Sequence, residues 1–246
     1  MHFSITYLPL RIDRRTTTLQ LSILTSIFHI RDTTMNNPAP ELLTPENCVL
    51  ALIDHQPQMV FGEASNDRQT MINNVIGLAK TAKVFQVPTI LTTIAAKTFS
   101  GPLLPQIQAI FPGQQPIDRT NMNAWEDLNF TTAIEQTKRK KIVMAALWTE
   151  VCLAFPAISA AAAGYEVYAV VDASGATTKE AHNAAIQRMI QAGVRPVTWI
   201  QVMCELQRDW SRQETYNPVM EIIKAHAGAY GAGVVYAESM LGGHGG

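Results

Sequence analysis

The chain has 246 residues, of which 47% are hydrophobic, and a formal net charge of −1 at pH 7. A chain of this length and apolar content can bury a sizeable core, and one domain is the default expectation. The balanced charge argues against a basic nucleic-acid or membrane surface, and no apolar run approaches the roughly 18 residues of a transmembrane helix, so we expect a soluble protein with neither kind of partner.

The cysteines are few and unclustered, at Cys48, Cys152 and Cys204. An odd, sparse set of this kind is not a disulfide framework and lacks the paired spacing of zinc ligands. A reducing compartment is the natural home of such a chain, and we expect the cytoplasm.

The first 34 residues differ in composition from the rest, being rich in Thr, Ser, Ile and Leu and richer in arginine than in acids. Polar residues interrupt the apolar segment 19–30, which disfavours a secretory signal, whereas an organellar transit peptide is compatible with the composition. A third interpretation, which we favour, is that Met35 is the true start. Residues 1–40 are therefore predicted to be an extension that is disordered or lies upstream of that start.

Short apolar runs alternate with segments of helical periodicity from residue 41 to 212, the predicted domain. Val49–Ile53 is a continuous apolar run, typical of a strand buried on both faces. Further strands are predicted at 89–94, 116–120, 141–146, 166–171 and 196–200, and helices at 68–86, 104–110, 127–138, 158–163, 179–191 and 202–210.

Strands separated by helices in this way predict βαβ units. We therefore expect an α/β fold, a Rossmann-like three-layer α/β/α sandwich with a mainly parallel central sheet. Residues 213–246 are predicted to form a C-terminal helix and a tail, which from Gly228 onward is either mostly disordered or arm-like.

Cys152 lies where a strand turns into a helix. The apolar run Lys141–Ala146 precedes it, and an alanine-rich segment ending at Gly164 follows. A helix N-terminus carries partial positive charge and unpaired N–H groups, so a thiol in the first turn is expected to have a stabilised thiolate. Cys152 is therefore a candidate nucleophile, although a lone cysteine in an apolar helix is more often a packing residue.

Two further residues are predicted to meet Cys152. Asp54 ends the first strand and Arg119 follows the third, and sites in parallel α/β folds gather outside the carboxyl ends of strands. Arg119 would act electrostatically, because arginine does not deprotonate. Asp54 would move protons, with a pKa raised by burial, unless it is a simple turn residue.

Several separate motifs, taken in their order and spacing, resemble a known family. They are Val49–Gln56, Arg119–Trp125, Thr149–Cys152, Gly164–Val167, Asp172–Gly175 and Cys204–Trp210. Together they resemble the isochorismatase-like cysteine hydrolases, and among these the YcaC-type hydrolases, over residues 43–210.

The resemblance implies a catalytic triad of Asp54, Arg119 and Cys152. Arginine replaces the lysine that is usual in the superfamily, although the YcaC-type subgroup also carries arginine there, and this weakens any transfer of substrate from nicotinamidases or isochorismatases. The resemblance also implies a cis peptide between Leu147 and Trp148.

The resemblance also implies an oxyanion hole in the region of Leu147, Trp148 and Thr149. Its hydrogen-bond donors would be the backbone amides of Trp148 and Cys152. The Asp-x-His metal ligands of nicotinamidases have no counterpart in residues 92–98, so no metal or cofactor is predicted. Proteins of the YcaC type form ring-shaped multimers, which implies a homo-oligomer, with an octamer as one candidate.

Weaker candidates surround the predicted triad. His55 and Gln56 follow Asp54, and with Phe61 and Trp125 they are candidates to line a pocket for a small-molecule substrate. Their alternatives are turn-filling or core roles. His182 is predicted to lie at the surface or at an interface.

Two functions follow from this sequence. The first is a cysteine-dependent hydrolase of a small-molecule amide, ester or related C–N or C–O bond, acting through an acyl-thioester. The alternative is a non-catalytic or redox-sensing oligomer with a reactive, low-pKa cysteine.

Overall fold

A computed structural model of the protein describes residues 42–242. The predicted N-terminal extension, Glu41 and the last four residues of the predicted tail lie outside the described residues. The strands are β1 (Cys48–Ile53), β2 (Thr89–Ile94), β3 (Ile117–Arg119), β4 (Lys141–Ala146), β5 (Glu166–Val170) and β6 (Arg195–Val197).

The six strands form one sheet in the order β3-β2-β1-β4-β5-β6, and every neighbouring pair is parallel. The chain winds outward from β1 in one direction to β3 and then from β4 in the other direction to β6. The crevice between β1 and β4 is therefore a topological switch point, the place where open parallel sheets hold their ligands.

Helices cover both faces of the sheet. They are α1 (Pro57–Gly62), α2 (Arg68–Val84), α3 (Pro105–Ile110), α4 (Leu128–Gln136), α5 (Ala154–Ala162), α6 (Lys179–Gln191), α7 (Trp199–Gln207), α8 (Gln213–His226) and α9 (Ala229–Met240).

The central strand β1 is buried on both faces, as its apolar run predicts. Leu50 and Leu52 belong to one core with α2, α7 and α8, whereas Val49, Ala51 and Ile53 belong to a second core with α4, α5 and α6. Alternate residues of a strand point to opposite faces, so the two cores are the two outer layers meeting one sheet. The predicted three-layer sandwich is confirmed.

The predicted boundary between the last strand and its helix is wrong. Trp199 and Ile200 were expected in the strand, but α7 begins at Trp199 because the side chain of Thr198 accepts a hydrogen bond from the Gln201 amide at 3.3 Å. The Trp199 side chain is fully buried against Gly77 of α2, where an added Cβ would lie 2.9 Å from the indole ring.

The disordered alternative for this tail is wrong over residues 229–240, because α9 occupies them and packs on α8. Gly231 permits this packing, since any Cβ there would collide with the Ile223 carbonyl. The glycines that suggested a flexible tail thus include one that allows two helices to approach closely. Among residues 42–242, no helix is both long and apolar enough to cross a membrane.

Candidate active site

Asp54 lies at the carboxyl end of β1 and is completely buried. Its amide donates to the Thr92 carbonyl of β2 at 3.0 Å, and its φ of 59° is in the left-handed region. Few residues other than glycine adopt that conformation, although aspartate and asparagine tolerate it better than most. The chain therefore leaves the sheet abruptly at Asp54.

Arg119 ends β3 and reaches Asp54 across the neighbouring strand. Its Nη2 lies 2.7 Å from Asp54 Oδ2, and both side chains are fully shielded from solvent. Nη1 donates to the Asn121 carbonyl. Within residues 42–242, Arg119 Nε and Asp54 Oδ1 are buried with no hydrogen-bond partner. The buried ion pair therefore keeps unused polar atoms at the carboxyl ends of the strands.

Cys152 lies on a single π-helical turn, Thr149–Leu153, that joins β4 to α5. Its side chain is buried beside the Asp54 carboxyl, close enough for each group to shift the pKa of the other. The structure thus brings together the three residues of the predicted triad, although Arg119 pairs with the carboxyl rather than with the sulphur.

The expectation of a stabilised thiolate is wrong for Cys152. Burial raises the pKa of this thiol, and the negative charge of Asp54 raises it further, while Arg119 and the Trp148 amide oppose the rise. Loss of hydration and a neighbouring carboxylate outweigh the partial charge of a helix start. Cys152 rests as a neutral thiol.

Burial also raises the pKa of Asp54, to about 6, against the lowering effects of Arg119 and of the neighbouring Cys152 thiol. At neutral pH the carboxyl is therefore ionised beside a thiol that still holds its proton. This pairing gives the site a base and a proton donor in direct contact.

The turn before Cys152 contains a cis peptide bond between Leu147 and Trp148, where the resemblance implies one. The Trp148 amide bonds the Cys152 sulphur, and the Trp148 carbonyl accepts from the amides of Val151 and Leu153 at 3.1 and 3.2 Å. The indole Nε1 donates to the Met59 carbonyl at 2.8 Å, so helix α1 anchors the turn.

His55 and Gln56 are both buried and tied to the backbone of neighbouring loops. His55 Nε2 lies 3.1 Å from the Ala173 carbonyl, and burial lowers the pKa of the ring to about 4. The Gln56 amide accepts from the Ile94 amide at 2.9 Å and donates to the Ile94 and Gly101 carbonyls. These bonds hold the loops that follow β1 and β2.

The two aromatic candidates lie in different surroundings. Phe61, on α1, is 73% exposed. Trp125 packs edge-on against Phe130 and Tyr165, with ring centroids 6.3 and 5.3 Å apart. Trp125 therefore supports the core beneath α5, in line with its alternative role.

His182 is the residue that sequence reasoning misplaced. It is 8% exposed, and its Nδ1 lies 2.8 Å from the hydroxyl oxygen of Thr149. The prediction of a surface position is wrong because His182, Ala185 and Met189 share the buried face of α6. Their i, i+3, i+7 spacing was the available signal.

Ser174 and Glu63 also support the site and were not identified from the sequence. Ser174 Oγ accepts from the amide of Ala146, at the end of β4, at 3.0 Å. Glu63 is completely buried and accepts from the amides of Ser65 and Asn66. Across the described part of the chain, no three His, Cys, Asp or Glu side chains are grouped as metal ligands.

Comparison with known proteins places this geometry in a family. The family model described as the isochorismatase domain matches residues 48–201. The chain is 40% identical over 169 residues to the Escherichia coli K12 protein named "Probable hydrolase YcaC", which covers 68% of this chain and 81% of that protein.

Two solved structures agree with this match. YcaC from Pseudomonas aeruginosa, with hexane-2,5-diol and covalent acrylamide, superposes with a TM-score of 0.78 at 34% identity, covering 82% of this chain and 98% of that one. The YcaC gene product of Escherichia coli, described as an octameric hydrolase of unknown specificity, gives a TM-score of 0.78 at 35% identity, with coverages of 83% and 100%. The chain belongs to the isochorismatase family, as a hydrolase similar to the YcaC proteins.

Proposed function

We propose that the protein hydrolyses an amide, ester or related C–N or C–O bond of a small molecule, with Cys152 as nucleophile. The observation that carries this proposal is the contact between the buried Cys152 thiol and the buried, Arg119-paired carboxyl of Asp54. A neutral thiol can react only if a base removes its proton during attack, and Asp54 is the base in contact with it.

The first half of the reaction forms a thioester. Asp54 takes the proton of Cys152 while the sulphur attacks the substrate carbonyl carbon. The resulting oxyanion accepts hydrogen bonds from the amides of Trp148 and Cys152. Protonated Asp54 then gives its proton to the leaving amine or alcohol as the C–N or C–O bond breaks.

The second half uses the same groups with water. Asp54 removes a proton from water, and the hydroxide attacks the thioester carbonyl. The C–S bond breaks, the carboxylic acid leaves and the proton returns to the sulphur. Asp54 begins and ends as a carboxylate, so the cycle needs no cofactor.

Arg119 has an electrostatic role in this scheme. Its guanidinium stays charged and lowers the pKa of the Asp54 carboxyl, against the effect of burial. Without it, the pKa of the carboxyl would be higher, and less of the carboxylate base would be present at neutral pH. A lysine in this place could exchange a proton; an arginine cannot.

The redox alternative is not favoured, because it depends on a low-pKa thiol. Burial and Asp54 raise the pKa of Cys152 instead, so little thiolate is present at neutral pH to meet an oxidant.

We further propose that the protein is a homo-oligomer of the cytoplasm. The octameric description of the Escherichia coli relative supports assembly, and the three free cysteines fit a reducing compartment. Native mass spectrometry of the full chain would measure the assembly, and a monomer at micromolar concentration would contradict it.

Acrylamide is a suitable first probe, because the Pseudomonas relative was solved with this amide bound covalently. We expect peptide mapping to find an adduct on Cys152 in the wild-type protein and none at that site in Cys152→Ala. Buried Cys48 should stay unmodified, while Cys204, which is exposed, should react as an ordinary surface thiol.

Turnover is tested with a panel of small amides and esters. Cys152→Ala should abolish hydrolysis of any substrate found, whereas Cys48→Ala should retain it. Hydrolysis by a folded Cys152→Ala protein would overturn the proposed nucleophile.

A further inference from the structure

Outside the triad, a buried contact joins His182 to Thr149. His182 lies in the first turn of α6, and Thr149 begins the π-helical turn that carries Cys152. Both residues are buried, and His182 Nδ1 lies 2.8 Å from Thr149 Oγ1. A side chain on one helix thus bonds directly to the nucleophile's turn.

Thr149 is held by its backbone as well as by its side chain. Its amide donates to the Gly175 carbonyl at 2.8 Å. The residue before it, Trp148, contributes the amide that bonds the Cys152 sulphur. A shift of Thr149 therefore moves the peptide unit next to the sulphur and to the proposed oxyanion hole.

The state of the imidazole suits a hydrogen bond rather than an ion pair. Burial lowers the pKa of His182, although Glu150 and Glu63 oppose this effect, so the ring is neutral at neutral pH. A neutral ring nitrogen either donates or accepts according to the tautomer, and a threonine hydroxyl complements both cases. An asparagine amide can likewise do either.

We infer that His182 is a positioning residue for the Cys152 chemistry: through its hydrogen bond to Thr149 it fixes the turn that presents the Trp148 amide to the sulphur. His182 acts through Thr149 and does not itself contact the reacting atoms. The inference rests on the proposed function, since it takes Cys152 as the nucleophile.

The test measures the second-order rate of Cys152 alkylation by acrylamide, in a Cys204→Ser background that removes the exposed thiol. His182→Leu should slow the reaction on the order of 10- to 100-fold, because small misplacements of reacting groups have large kinetic effects. His182→Asn should recover most of the rate. Met189→Leu, buried about two turns along the same helix, is the matched control and should leave the rate unchanged.

Variants of Thr149 test the inference independently. Thr149→Val removes the hydroxyl with little change of volume and should match the effect of His182→Leu, whereas Thr149→Ser should stay near the wild-type rate. The double variant His182→Leu/Thr149→Val should be no slower than either single variant, because both remove the same bond. If His182→Leu does not fold, Thr149→Val decides the question.

A wild-type rate in folded His182→Leu or Thr149→Val, or additive losses in the double variant, would overturn the inference and leave the proposed nucleophile intact. Recovery of thermal stability without recovery of rate in His182→Asn would also overturn it. Failure of Cys152 to react in the wild-type protein would remove the proposed nucleophile, and the positioning role with it.

Discussion

Cys48 and Cys152 are buried cysteines at opposite edges of the same sheet. Cys48 begins β1, at the amino edge, and Cys152 follows β4, the strand paired with β1, at the carboxyl edge. Burial is the main cause of a raised pKa at both, and it takes the pKa of Cys48 to about 12. Cys48 donates to the Thr44 carbonyl at 3.2 Å, whereas the Cys152 thiol lies beside the Asp54 carboxyl.

Burial raises the pKa of both thiols, and in the proposed mechanism the neighbouring base is what allows only Cys152 to react. The Cys48 thiol donates a hydrogen bond to a backbone carbonyl, which is too weak a base to remove the thiol proton. At Cys152 a buried carboxylate can take the proton, and the same dry surroundings then strengthen the interactions of the charges that form during attack.

The largest effect should come from removing that base. Asp54→Asn should slow hydrolysis, and alkylation of Cys152, by about 10²- to 10⁴-fold, the usual contribution of general acid–base catalysis. Asp172→Asn is the matched control, because burial also raises the pKa of Asp172, whose Oδ1 accepts from the Trp199 amide at 2.9 Å. Equal losses in the two variants would mean that Cys152 does not depend on its carboxyl neighbour.

The buried ion pair at the carboxyl edge should matter more for stability than an exposed pair elsewhere. Arg119→Met leaves Asp54 buried without its cation and should lower the free energy of unfolding by about 3 kcal/mol. Arg195→Met breaks the half-exposed pair with Glu166 and should cost less than about 1 kcal/mol. Urea unfolding at pH 8 measures the free energy of unfolding of both variants. Similar decreases in the two variants would contradict the greater importance of the buried pair.

Stability should also depend on pH through Asp54. Its pKa is about 6 in the folded chain against 3.8 for an ordinary aspartate, so the folded state binds more protons between these values. The free energy of unfolding therefore falls as the pH rises through this window. Asp54→Asn should lack this component. Urea unfolding at pH values from 4 to 7 would measure the free energy of unfolding of both proteins, and as the pH rises the wild type should lose stability relative to the variant. A difference independent of pH would refute the raised pKa.

No effect on turnover is expected at Cys48. Cys48→Ala removes one buried sulphur and should lower the free energy of unfolding by about 1 kcal/mol, through a small cavity and one lost hydrogen bond. Hydrolysis and the labelling of Cys152 should be unchanged. A loss of turnover in this variant would mean that the two edges are coupled.

Much of the fold could be predicted because the sequence carries its periodicity locally. The bounds of β2, β4 and α6 agree with their patterns, and the alternation of strands with helices indicated the parallel sheet. The predictions were wrong where a tertiary or capping contact determined the structure. Trp199 is helical because Thr198 caps it and Gly77 makes room for its ring, and α9 packs because Gly231 lets it approach Ile223.

The chain's own residues determined that Asp54, Arg119 and Cys152 lie at or beyond the carboxyl ends of strands in one sheet, because parallel strands place those ends together. Their charge states and partners were decided by the tertiary structure. Burial and contact distances set the pKa values of Asp54 and Cys152, directed Arg119 to the carboxyl rather than the sulphur, and turned His182 inward to Thr149. Hydration and Coulomb energies depend on atoms far apart in the chain, so no local pattern contains them.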